Sequence, residues 1–195
     1  MQYAKPDPNA TIFNEWRAIP AIQDSTGIFT LAQITQNLEA GTPEGTLRQT
    51  YWDVSFKLDK ALISFITNKF YALLPTIIDA QGLLPTAAIQ PITRSALTAM
   101  QKNGGNALGL SPEEGPYFIF NLAIMWADIE DEPRMLKFCA DLLQAAKEEA
   151  RRLGADNDYI YMNYASQFQD PIASYGEVNV ARLREVAQKL SLIHI

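Results

Sequence analysis

Tyr161, Asn163 and Tyr164 stand within four residues of one another, in a stretch from Tyr159 to Gly176 that holds four tyrosines. A core strand would use Val or Ile in place of such hydroxyls, because each buried phenol needs a partner or costs free energy. A phenol can give or take a proton and an amide can orient a ligand, so a Tyr-x-Asn-Tyr unit at a strand end could line a binding or redox site. The same residues also fit a plainer role, with Tyr159 and Tyr161 half-buried on a sheet and Asn163 closing a turn. Strict alternation would place Tyr161 and Tyr164 on opposite faces, so a shared site requires the backbone to leave the strand by Asn163.

Gln90 lies between Ile89 and Pro91 in an otherwise apolar run, so its amide either faces solvent or serves a buried polar site. Asn106 sits in Gly104-Gly-Asn-Ala-Leu-Gly109, a turn or a phosphate cradle; the segment lacks the Lys-Ser/Thr of a P-loop and the strand-to-helix setting of a dinucleotide fingerprint. Asp128, Glu130, Asp131 and Glu132 crowd one segment, but three of them fall at a helix start, where the helix dipole favours negative charge, and no metal is expected there. Cys139 falls on the apolar stripe of its helix and reads as a small core residue, not a nucleophile. One cysteine and one histidine, His194, leave no disulfide, no His/Cys ligand set for zinc and no basis for a Ser-His-Asp triad.

The elements that must position these groups can be read from pattern. Of the 195 residues 48% are apolar, enough for one large or two small domains with a real core. Sixteen basic against twenty-two acidic residues give a net charge of −6, which repels a phosphate backbone, so no nucleic acid partner is expected. The longest apolar runs fall short of the roughly 20 residues that span a bilayer, and no membrane partner is expected. The first residues lack the basic-then-apolar layout of a secretory signal, and the compartment stays open.

Residues 1–43 read as irregular, with short helices at 11–18 and 31–39. A strand at 46–56 precedes a helix that begins near Leu58 and ends near Leu74, because Pro75 follows. A strand at 83–93 carries two prolines, which confine it to a sheet edge or to irregular pairing. After a short helix at 93–100 and the glycine-rich loop comes Tyr117–Trp126, apolar enough to be covered on both faces. Pro133, with acidic residues beside it, and Gly154 bracket the clearest helix, whose outer face should carry the pairs Lys137/Asp141 and Glu148/Arg152. A strand at 159–163 and a helix at 178–190 complete the order. This alternation fits a parallel sheet or an α+β fold equally well.

Several segments appear in an order and spacing that is itself informative: Phe13 and Ile19-Pro20 in a Pro-rich start, Gly104-Gly-Asn-Ala-Leu-Gly-Leu110, residues 117–128 with Trp126, Tyr161-Met-Asn-Tyr-Ala165, and Gln169-Asp-Pro-Ile-Ala-Ser-Tyr-Gly176 leading to Asn179-Val-Ala-Arg-Leu-Arg-Glu185. Together they resemble the C-terminal part of FAD-linked oxidoreductases of the berberine bridge enzyme-like group, fungal or bacterial in type. The resemblance implies an α+β fold, with a large antiparallel sheet backed by helices. It makes residues 1–155 a substrate-binding domain, incomplete at its N-terminus, and 156–195 a strand and helix returning to the FAD-binding domain.

The resemblance also implies FAD as cofactor, a small-molecule substrate and the parent's FAD domain as partner. Asn163 and Tyr161 would lie near the flavin. Tyr164 would take a hydroxyl proton while the substrate carbon gives hydride to flavin N5, with Tyr161 orienting the substrate or tuning its neighbour, and with Gln90 and Asn106 as substrate contacts. A phenol ionises near pH 10 in water, so a catalytic tyrosinate needs a cation or donors nearby, and the motif itself contains no Lys or Arg. The family's pyrophosphate site and its covalent flavin anchors belong to an N-terminal domain that this sequence does not contain. The chain alone is therefore expected to be inactive and to self-associate through its uncovered face. Leu190-Ser-Leu-Ile-His-Ile195 departs from the family's Tyr-Asp-Pro turn and reads as foreign, so His194 is given no catalytic role. The competing expectation is a non-catalytic binding or scaffold module.

Overall fold

The computed structural model of the chain describes residues 3–40 and 47–190, and these fall into two units that divide between residues 45 and 46. In the first unit a 3-10 turn, Thr11–Phe13, runs into α1 (Asn14–Arg17), and α2 covers Leu31–Ala40, matching the two helices expected there. Thr30 and Gln33 cap α2 reciprocally: the Gln33 N–H donates to Thr30 Oγ1 at 3.2 Å and the Thr30 N–H donates to Gln33 Oε1 at 2.8 Å. Arg17 ties the loop before α1 by donating to the Pro8 and Ala10 carbonyls. Thr46, the first residue of the strand expected at 46–56, and the tail from Ser191 to Ile195, with His194, lie outside the described residues.

The second unit is α+β. Strands β1 (Arg48–Lys57), β2 (Leu84–Ile92) and β3 (Tyr117–Trp126) form an antiparallel sheet in the order β1-β3-β2, so the pattern's parallel alternative is set aside. Proline-containing β2 takes an edge, as a strand short of donors must. α3 (Lys60–Leu73) starts on Asp59, whose carboxylate accepts from the Leu62 N–H at 2.8 Å, and gives way to a 3-10 turn at Pro75. α4 covers Arg94–Met100, α5 Glu132–Leu153 and α6 Glu177–Lys189. Pro133 stands in the first turn of α5, and Gly154 closes it with φ 68°, a left-handed conformation that glycine adopts without a Cβ penalty.

Period two assigns the side chains of the sheet to two faces. Val54, Phe56, Phe118, Phe120 and Leu122 turn to one side and pack with Leu62 and Ile66 of α3 and Met135 and Leu142 of α5. Cys139 is part of this core, and burial pushes its thiol up to about 12. Tyr117 and Ile119 turn to the other side, where Tyr159, Tyr175 and Leu110 meet them.

Two expectations are corrected here. No strand forms at 159–163: residues 159–161 run beside the free edge of β1 without a ladder, and Met162–Tyr164 is a 3-10 turn. Side chains occupy the backbone groups a ladder would need, since the Tyr159 N–H donates to Asn157 Oδ1, the Ile160 N–H to Ser174 Oγ and the Tyr161 N–H to Asp53 Oδ2. On α5 the pair Lys137/Asp141 forms at 2.8 Å, but Arg152 pairs with Glu149, three residues back, while Glu148 accepts from Gln144.

Candidate functional site

The tyrosine turn sits on the sheet face away from α3 and α5. Register sets that face in rows: Gln90, Ile119 and Ser55 lie opposite one another, as do Ala88, Asn121 and Asp53. With no strand at 159–163 and a 3-10 turn at Met162–Tyr164, alternation does not separate Tyr161 from Tyr164. Their rings meet edge to face with centroids 5.0 Å apart, and the Tyr164 N–H donates to the Tyr161 carbonyl at 2.9 Å. Tyr164 also stacks on Tyr51 of β1 at 6.5 Å.

Each phenol oxygen receives one amide donor. Asn163 Nδ2 donates to Tyr161 Oη at 2.7 Å, and Gln90 Nε2 donates to Tyr164 Oη at 3.2 Å. Of the two settings its sequence position left open, the half-buried Gln90 amide turns to a polar partner, Tyr164. Neither phenol's own proton has an acceptor among the described residues, and Tyr161 and Tyr164 are half-buried with Asn163 exposed beside them. Each phenol O–H is thus free to donate to a carbonyl or hydroxyl oxygen of a ligand. Asn106 stays apart: it is exposed, and its Oδ1 accepts from the Leu108 N–H at 3.0 Å within its own loop.

Below the turn lies a polar layer that inspection of the sequence did not single out. Asp53 is fully buried, and burial pushes its carboxyl up to about 6 against the opposing effect of the Tyr161 N–H, which donates to Oδ2 at 2.7 Å. The Gln169 side-chain amide takes both backbone groups of Asp53, accepting from its N–H at 3.2 Å and donating to its carbonyl at 2.6 Å. It also accepts from the Ser166 N–H at 3.0 Å. Ser55 Oγ lies 2.6 Å from the Tyr159 carbonyl and 2.7 Å from Asn157 Oδ1. The signal was available: Tyr51, Asp53 and Ser55 alternate along one face of a strand whose other face is apolar. Tyr159 stacks on Tyr175 at 5.9 Å, and burial raises the pKa of both phenols.

The glycine-rich loop serves packing. A Cβ at position 109 would lie 2.6 Å from the Tyr175 carbonyl oxygen, so Gly109 allows the loop to close on the turn before α6. The carboxylates near α5 are likewise used structurally: Asp128 accepts from the Glu130 N–H, Asp131 and Asp79 pair with Arg134, and Glu132 pairs with Arg48. A cleft between β2 and α3, lined in part by Thr67, Tyr71, Pro85 and Ala87, shares no residue with the tyrosine cluster. Among the described residues no helix is long and apolar enough to cross a membrane.

This chain is 29% identical over 172 residues to the FAD-dependent monooxygenase FUP4 of Fusarium proliferatum (strain ET1), covering 86% of the chain and 33% of that protein. It is 29% identical over 192 residues to the FAD-dependent monooxygenase drtC of Aspergillus calidoustus, covering 97% and 36%, and 27% identical over 170 residues to the FAD-dependent monooxygenase tpcD of Cochliobolus heterostrophus (strain C5 / ATCC 48332 / race O), covering 85% and 33%. The chain spans about a third of their length. No protein-family model and no solved structure matches it.

Proposed function

We propose that the chain is the C-terminal part of a FAD-dependent oxidoreductase of the berberine bridge enzyme-like group, and that the tyrosine turn forms the substrate-side wall of its flavin site. The observation that carries this reading is the convergence of Tyr161, Asn163, Tyr164 and Gln90 on one sheet face, in a chain whose relatives are named FAD-dependent monooxygenases. On this reading residues 1–155 belong to the substrate domain, 156–195 return to the FAD domain of the parent, and the ligand is a small molecule: an alcohol, a carbohydrate or a secondary metabolite.

The chain's residues fit the ring-facing part of a flavin site and not its pyrophosphate part. The half-buried phenols, set edge to face, and exposed Asn163 offer a weakly polar aromatic wall, whereas the glycine loop is occupied by its own packing. When bound, the flavin would supply the redox chemistry, accepting hydride at N5. Tyr164, once its own proton has passed to solvent, would take the substrate hydroxyl proton as the tyrosinate, and the Gln90 amide donating to that oxygen favours the anion. Asn163 does the same for Tyr161, which would hold the substrate oxygen in line. Asn106 would meet the distal end of a substrate from its exposed loop.

The test is the parent-length protein. It should purify with a flavin absorbance spectrum that an alcohol substrate bleaches under anaerobic conditions; absence of flavin overturns the reading. The relatives' names support a second chemistry, insertion of oxygen. With isotopically labelled dioxygen, label in the product would select that chemistry, and an unlabelled carbonyl product would select alcohol oxidation.

A further inference from the structure

Asp53 and Asn121 face each other across β1 and β3. Both backbone groups of Asp53 point away from β3 to the Gln169 amide, so the two residues form a non-hydrogen-bonded pair, the kind in which side chains on neighbouring antiparallel strands approach most closely. Both are buried, Asp53 completely. Asp53 Oδ2 accepts from the Tyr161 N–H, but Asp53 Oδ1 has no partner and neither does Asn121 Oδ1. Two buried, unpartnered acceptors on directly opposed residues are a costly arrangement unless a proton serves them.

We propose that Asp53 is held as the neutral acid, that its Oδ1 proton is shared with Asn121 Oδ1, and that this pair is the positioning device for the Tyr161–Tyr164 turn. The inference rests on the flavin-site reading for its functional consequence and on geometry for the pair itself. Burial already favours the protonated form, raising the carboxyl to about 6, and a bond from that proton to Asn121 pushes in the same direction. The groups that act on the carboxyl are Tyr159, Tyr161 and Tyr175 on its own side of the sheet and Lys147 of α5; among the described residues no cation bonds to it.

The neutral state has a purpose at this position. An ionised Asp53 would set a negative charge beneath the phenols and oppose the loss of Tyr164's own proton, which must precede its service as a base. It would also turn Asn121 from acceptor to donor and so change what holds Tyr161. Activity should therefore fall as Asp53 loses its proton with rising pH. Asp53→Asn keeps an oxygen for the Tyr161 N–H and offers Asn121 a permanent donor, so it mimics the neutral pair.

Two measurements on the parent-length protein test this. Infrared titration between about pH 5 and 8 should show a carboxylic-acid C=O band that disappears with rising pH and is absent from Asp53→Asn. The alkaline fall in kcat/KM assigned to this group, expected to be about tenfold, should be lost in the same variant while kcat near pH 5 stays within about threefold of wild type. Absence of the band at pH 5, or an unchanged pH profile in Asp53→Asn, overturns the proposal and leaves an ionised Asp53 accepting from a turned Asn121 amide. The infrared band is read with or without flavin, so a parent that binds no flavin would defeat the functional reading and still leave the pair to be judged on its own.

Discussion

The two faces of the sheet are built on opposite principles. The face toward α3 and α5 is made mainly of buried Phe, Leu, Ile and Val packed against the two helices. The other face carries Tyr51, Asp53, Ser55, Gln90 and Asn121 beside a smaller apolar cluster around Leu97, Tyr117 and Ile119, and its polar part is covered by a 3-10 turn and loop held by side-chain hydrogen bonds. The first arrangement gains stability from area buried and tolerates no vacancy. The second holds polar groups at fixed distances, which serves a site that must handle protons. If this contrast is real, substitutions on the first face should act on stability and those on the second on chemistry.

The largest effect should come from Phe120→Ala, on the helix-backed side and fully buried. It is expected to cost about 3–5 kcal/mol, read by denaturant unfolding, through lost transfer energy and the cavity left behind. Catalysis in the parent should change only as far as the folded fraction does. Tyr164→Phe makes the converse case. Its ring stays stacked on Tyr51, so unfolding should shift by no more than about 1 kcal/mol. Yet kcat in the parent should fall about 10²- to 10⁴-fold if the phenol is the base. A mutant with near wild-type kcat would remove Tyr164 from the chemistry.

How much of this was legible in the sequence follows the same division. The helix-backed side announces itself locally: Pro133 and Gly154 bracket α5, the apolar stripe of that helix gives its buried side, and the prolines of β2 send it to an edge. These signals lie within a few residues of what they govern. The polar side is assembled from residues far apart in the chain, with 108 positions between Asp53 and Tyr161 and 74 between Gln90 and Tyr164. The tyrosine motif could be noticed because its parts are adjacent; its supports could not be paired without the register. Tyr159–Ile-Tyr reads as a strand because β propensity records a fit to a half-buried surface, and this segment has that surface without a ladder.

The polar face should also answer to pH in a way the apolar face cannot. Asp53 is raised in the folded chain, so between its unfolded value near 4 and about 6 the native state binds more protons than the unfolded one. Stability should then fall as pH rises through that window, by about 3 kcal/mol from this group, and level off above it. Subtracting the Asp53→Asn curve removes the other carboxylates, and the gap should widen in favour of the variant as pH increases. A gap that stays constant from pH 4 to 7 (about the window at issue) would mean that Asp53 titrates normally.

The smallest effect is the most local. Gln169 acts as a substitute peptide on the free edge of β1, one amide meeting both the N–H and the carbonyl of Asp53 and also the N–H of Ser166. Gln169→Ala leaves these backbone groups to water or to nothing, at a cost of about 1–2 kcal/mol, since they lie at an edge where solvent can partly replace the amide. The loss should be concentrated where the clip acts: amide exchange at Asp53 and Ser166 should accelerate several-fold, while amides in β3 and α5, held by ladder and helix, should barely change. Uniform acceleration across the sheet would mean that the clip supports the whole fold, and the two faces would then not be separable.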